Sequence, residues 1–170
     1  MTWAFVPSAP LLALPADDAL SQVRESAHIL VSELLAAAPP SVTVVAGADG
    51  PVDLDEMHGG TLRGYGLDVR SGGEVVSLGL GHTIGAWLLD RAGWTGPRRY
   101  VSRLDATDRT VLVVADGAAC IGVNSPRGLD PRGPGFHEGL LTALGSGDAS
   151  YLARLDLELA AELWCSGAPV

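Results

Sequence analysis

The sequence predicts an α/β fold: a three-layer sandwich with a mostly parallel central sheet and helices on both faces, formed as a single domain over residues 1–170. Three observations lead there. Val111-Leu112-Val113-Val114 is a continuous apolar run rich in β-branched residues, the pattern of a strand buried on both faces. Val42 to Ala46 is a second run of the same kind, and a stretch of helical periodicity precedes it. Strands that alternate with helices in this way favour a parallel sheet with helices packed against it.

Taken in order, Thr2 to Val6 reads as the first strand, and Pro7-Ser8-Ala9-Pro10 as the rigid turn that ends it. From Asp17 to Ala38, Leu20, Val23, Ala27, Leu30, Leu34 and Leu35 recur at three- and four-residue steps, which predicts a helix. Asp17 and Asp18 suit its positive end, and Pro39-Pro40 stops it. Beyond the strand Val42 to Ala46, glycines from Gly59 to Gly73 punctuate the chain, with a short strand expected around Leu67 to Val69. Glu74 to Leu78 reads as a strand, and His82 to Arg91 as a helix with Ile84, Trp87 and Leu88 on one face and Gly93 near its end. Arg99 to Leu104 is expected as the strand before the central one. Asn124 to Gly135 is rich in Gly and Pro and reads as a loop. Helices are expected at Phe136 to Leu144 and Ala149 to Leu163.

Composition narrows the function. With 47% hydrophobic and 18% charged residues the chain is globular, and with 5% aromatics its core is mainly Leu, Val and Ala. Eleven cationic residues against 20 acidic ones leave a net charge of -9, which opposes nucleic acid and anionic membranes. Every cation is Arg, so Schiff-base lysine chemistry and a Walker-type phosphate loop are excluded. No segment is long enough to span a bilayer, and the start lacks the basic region of a signal peptide. A cytoplasmic protein is expected. Cys120 and Cys165 are too few for a disulfide scaffold, though one bridge between them is open.

Ligands in open α/β sheets bind beyond the carboxyl ends of the strands, which points to Asp116-Gly117-Ala118-Ala119-Cys120 after the central strand. Cys120 reads as a nucleophile if a neighbour stabilises its thiolate, or as a small apolar group. Asp116 follows a buried strand directly and needs a partner or water. His82 sits at an expected helix start, where an imidazole stays neutral and suits a base, ligand or donor. Asp49, Asp53, Asp55, Glu56 and His58 form an acidic cluster of the kind hard cations favour, without the ordered spacing of a calcium loop. His28 and His137 read as structural.

Four segments resemble one family. Phe5-Val6-Pro7-Ser8-Ala9-Pro10-Leu11-Leu12 resembles the first strand and turn of the class III extradiol ring-cleavage dioxygenases, the LigB-type superfamily that includes the Memo-like proteins. Val44-Val45-Ala46-Gly47-Ala48-Asp49 is similar to its second strand and loop, and Gly81-His82-Thr83-Ile84-Gly85-Ala86-Trp87-Leu88-Leu89 to its histidine-led helix. Val113 to Cys120, with Asp130-Pro131-Arg132, Phe136 and Gly147-Asp148, resembles its later strand, loop and helical tail, in the manner of a small actinobacterial branch. In iron-containing members of that family, histidines stand where this chain has Ser8 or Ala9, Ala48-Asp49, and Cys120. The resemblance therefore implies a two-His-one-carboxylate iron centre that has lost both imidazoles, with His82 the one matching histidine. It implies a small-molecule-binding protein or pseudoenzyme without a cofactor, its polar pocket drawn from Ser8, Asp49, His82, Asp116 and Cys120, with Asn124 a further ligand-binding candidate. The alternative is an enzyme: an iron or zinc site rebuilt from Asp49, His82 and Cys120, or metal-free hydrolysis by Cys120 activated by His82. A homo-oligomeric structural subunit is the third reading.

Overall fold

The computed structural model describes residues 1–14 and 20–165. These residues fall in two compact units, 1–115 and 116–165. The first unit holds eight strands: β1 (Thr2–Val6), β2 (Val42–Ala46), β3 (Asp53–Asp55), β4 (His58–Thr61), β5 (Arg70–Gly72), β6 (Val75–Val76), β7 (Arg98–Val101) and β8 (Thr110–Val114). Its helices are α1 (Ser21–Leu35) and α2 (Leu80–Arg91).

Five strands form one sheet in the order β1-β8-β2-β7-β3. β1, β8, β2 and β7 run parallel, and β3 closes the edge antiparallel. The run Val111 to Val114, expected at the centre, lies second in the order, between β1 and β2, and β2 is the middle strand. Every residue of β2 and β8 is buried. Alternation along them divides the side chains: Val42, Val44, Ala46, Leu112 and Val114 join α1 and α2 in the main core, while Val45, Val111 and Val113 form a second cluster with Val101. Within this unit both helices thus pack on one face of the sheet.

The helices sit close because glycines let them. A Cβ at Gly81 would come 2.7 Å from the Ala46 Cβ, and one at Gly85 would come 2.4 Å from Val44 Cγ1. These positions, one helical turn apart, let the α2 backbone lie on β2 where any side chain would hold it off. The buried stripe of α1 is Arg24, Ala27, Val31 and Leu34. Val23 and Leu30, expected on that stripe, are exposed. Arg24 takes the inward place because its Nε donates to the Leu12 carbonyl at 2.7 Å while its stem covers apolar surface. The expected helix start at Asp17 and Asp18 lies outside the described residues.

The glycine-rich stretch differs most from expectation. Leu67 to Val69 is not a strand; β5, β4 and β6 form a small second sheet instead, in that order. The strand expected over Glu74 to Leu78 contracts to Val75–Val76. Here the backbones touch: a Cβ at Gly59 would lie 2.0 Å from the Gly73 carbonyl oxygen. β7 ends at Val101, short of the Leu104 expected.

In the second unit, α3 spans Gly133–Ser146, α4 Ala149–Leu152 and α5 Leu157–Glu162. The single helix expected from Ala149 to Leu163 is broken because Asp156 acts as a second cap, accepting from the Leu159 amide at 3.0 Å. Asp148 caps the preceding turn by accepting from Tyr151 N at 2.9 Å.

Candidate functional site

Beyond the carboxyl end of β2 lies a cavity of about 230 Å³. Gly47, Ala48 and Asp49 form one wall, and Ser77 to Leu80 with His82 form another; Val52 and Leu54 supply apolar surface. The topology explains the placement. β2 delivers its loop at the same end of the sheet as the start of α2, and the close approach at Gly81 brings the two together. Ser8, at the end of β1, is also near this point: a Cβ at Gly81 would lie 3.5 Å from Ser8 Oγ.

α2 begins at Leu80, two residues earlier than expected, so His82 is inside the first turn rather than at its edge. Its imidazole is 1% exposed, and its Nε2 lies 2.9 Å from the Val101 carbonyl oxygen. A carbonyl only accepts, so Nε2 carries the proton and Nδ1 the lone pair. Among the described residues Nδ1 makes no hydrogen bond. Burial pushes the imidazole below its ordinary value, and the Val101 contact opposes that in part. His82 is therefore neutral, with an acceptor to offer. The helix start adds donors: Gly79 caps it without a side chain, and the first intrahelical bond is from Thr83 N to the Gly79 carbonyl at 2.9 Å. The amides of Leu80, Gly81 and His82 precede that bond and have no carbonyl within the helix.

The acidic cluster is taken apart by the fold. Arg99 holds Asp53 in two bonds of 2.8 and 2.9 Å and Asp105 in one of 2.7 Å. Its hydrogen bonds and charge draw Asp53 below the usual carboxylate range. Asp55 goes elsewhere, 3.8 Å from His58 Nε2, and His58 Nδ1 lies 2.7 Å from Ser77 Oγ. The contact between Ser77 and His58 was not legible in the sequence: the two are 19 positions apart and belong to no motif.

Asp116, Cys120 and Asn124 belong to the second unit. Cys120 is 5% exposed in an apolar cluster with Ala118, Phe136 and Leu163, and its thiol donates to the Leu163 carbonyl at 3.2 Å. The Cys165 thiol donates to the Asp116 carbonyl at 3.2 Å, and burial with the Asp116 charge pushes its pKa up. Both cysteines are free, so no bridge joins them. Asn124 is exposed in its loop. In Asp130-Pro131-Arg132, Arg132 ties Asp130 to Glu162 and lowers the Asp130 carboxyl to about 2. His137 carries a buried Nδ1 without a hydrogen bond, packed where a Gly117 Cβ would be.

No protein-family model and no curated protein matches this chain. The resemblance implies an iron centre. Among the described residues no three His, Cys, Asp or Glu side chains gather where they would hold a metal ion. His82 commits Nε2 to the backbone. The residues present do not fit the two-His-one-carboxylate centre. Among the described residues, no helix is long and apolar enough to cross a membrane.

Proposed function

We propose that this chain is a small-molecule-binding protein of the class III extradiol dioxygenase type that does not cleave rings. The observation that carries the reading is the cavity shared by Asp49 and His82 at the end of β2 and the start of α2. At about 230 Å³ it lies below the range of drug-sized pockets, about 300–1,000 Å³, so the ligand is small. Asp49 and the Nδ1 of His82 supply acceptors and the α2 amides supply donors, a set suited to a hydroxylated molecule. Ring cleavage needs imidazole ligands that leave open positions on iron(II), and this chain has Ser8 or Ala9 and Ala48-Asp49 where the family has histidines. In the same reading the large sheet is the middle of three layers, the protein is cytoplasmic, and light scattering decides whether copies form a homo-oligomer.

Titration of isotope-labelled protein with catechol, beside elemental analysis of protein purified without chelator or metal-affinity tag, tests this. Amide shifts confined to Gly47–Asp49 and Gly79–His82, weakened in Asp49→Asn, are expected without stoichiometric iron or zinc. Stoichiometric iron that disappears in His82→Ala overturns the reading, as does an absence of shifts at those amides.

A further inference from the structure

One residue of the cavity wall, Ser77, belongs to a second constellation, which the binding reading does not use. Its Oγ lies 2.7 Å from Nδ1 of His58, which stands outside the cavity lining. The other ring nitrogen of His58 faces Asp55 Oδ1 at 3.8 Å. A carboxylate on that side favours the tautomer with the proton on Nε2, which leaves Nδ1 as the acceptor for the serine hydroxyl. The order is hydroxyl, base and, at ion-pair rather than hydrogen-bond distance, a carboxylate whose Oδ1 also accepts from the Met57 amide at 3.1 Å; a serine hydroxyl bonded to an imidazole is the pairing that activates a nucleophile. Ser77 is exposed and His58 half-buried, so a substrate reaches the hydroxyl. Ser77 also stands two residues before the Gly79 cap, and Leu80, whose amide precedes the first intrahelical bond of α2, lines the same cavity. Backbone donors so placed stabilise an oxyanion.

We propose that Ser77 and His58, oriented by Asp55, form an acyl-transfer site that hydrolyses small esters. The proposal rests on the same cavity as the binding reading. In the first half-reaction Ser77 Oγ bonds to the ester carbonyl carbon and its proton passes to His58 Nδ1. The tetrahedral oxyanion collapses, the bond from carbon to the alcohol oxygen breaks, and His58 returns the proton to the departing alkoxide. Water then adds to the acyl-serine, giving its proton to His58, and the bond from carbon to Oγ breaks. Ser77 regains its proton and a carboxylic acid leaves. The net reaction is ester plus water to acid plus alcohol, with no redox change. The cavity, at about 230 Å³ with Val52 and Leu54 on its wall, limits the acyl group to a few carbons.

Diisopropyl fluorophosphate, which forms a bond from phosphorus to an activated serine oxygen and expels fluoride, is the probe. Intact mass and peptide mapping should show one adduct, on Ser77, lost in Ser77→Ala. His58→Gln keeps a hydrogen-bonding side chain but cannot take a proton, and should slow labelling roughly a hundredfold or more. Turnover of 4-nitrophenyl acetate should follow the same pattern. No adduct, an adduct elsewhere, or His58→Gln labelled at the wild-type rate overturns the proposal. Running the catechol titration on the same samples separates the two readings. Catechol shifts without labelling sink acyl transfer alone, and labelling without catechol shifts sinks the hydroxylated-ligand reading alone.

Discussion

The two sheets of the first unit are built from opposite materials. β2 and β8 are runs of valine, leucine, threonine and alanine whose side chains fill both sides of the large sheet. β4 is His58-Gly59-Gly60-Thr61, and its neighbours come where side chains would otherwise be. A Cβ on Gly60 would fall on the Thr83 side chain, as one on Gly59 would fall on the Gly73 carbonyl. Apolar burial holds the first sheet; close backbone contact and a few polar ties hold the second. Chemistry divides the same way. The large sheet and α2 bury His82 and occupy one of its nitrogens with a backbone carbonyl. The glycine-rich sheet carries His58 half-exposed against the hydroxyl of Ser77.

Breaking the tie between the two sheets should have the largest effect. Asp90, near the end of α2, pairs with the buried Arg98 of β7 at 2.5 Å and accepts from the Gly72 amide of β5 at 2.9 Å. Asp90→Ala leaves a buried guanidinium without its carboxylate and should cost about 3–5 kcal/mol, read by denaturant unfolding. A loss under about 1 kcal/mol would mean that Arg98 is satisfied by the Trp94 carbonyl alone.

A smaller and more local effect is expected inside the glycine-rich sheet. Gly59→Ala forces β4 from the Gly73 carbonyl and should cost about 1–3 kcal/mol. Amide exchange should quicken at Gly73, Val75 and Ser77, whose amides bond to residues 57–59, while β2 and β8 keep their protection. Equal loss of protection in both sheets would show one cooperative unit.

The smallest effect is on pH. Because burial lowers the folded value of His82, the unfolded chain takes up its proton first as pH falls. The stability due to neutral His82 is complete above the unfolded imidazole value of about 6.5 and is lost as pH falls toward the folded one. Thermal melts over this window should show the wild type losing Tm faster than His82→Asn. Parallel profiles would show that another group titrates.

Local pattern made part of this legible. Val42–Ala46 and the strand through Val114 were readable because β-branched runs carry their own preference and burial. The helix of His82 was readable from its periodicity, though its start moved by two residues. The inward face of α1 was readable at Ala27 and Leu34 but not at Arg24, whose burial depends on a distant carbonyl, that of Leu12, receiving it. The break before α5 follows from a competition in which Asp156 caps rather than continues a helix, and either outcome suits the local sequence.

The candidate site divides on the same line. His82 was readable as the polar residue at a helix start and Asp49 as a pocket residue implied by the resemblance, and both line the cavity. Ser77 and His58 were not. Their contact depends on β4 lying parallel to β6, a pairing made possible by glycines at Gly59 and Gly73 that carry no side-chain pattern. By itself the sequence determined where the buried strands run and which residues stand at their ends, since burial and backbone preference are local properties. Only the tertiary structure decided which polar groups meet, because that depends on how closely two distant backbones approach.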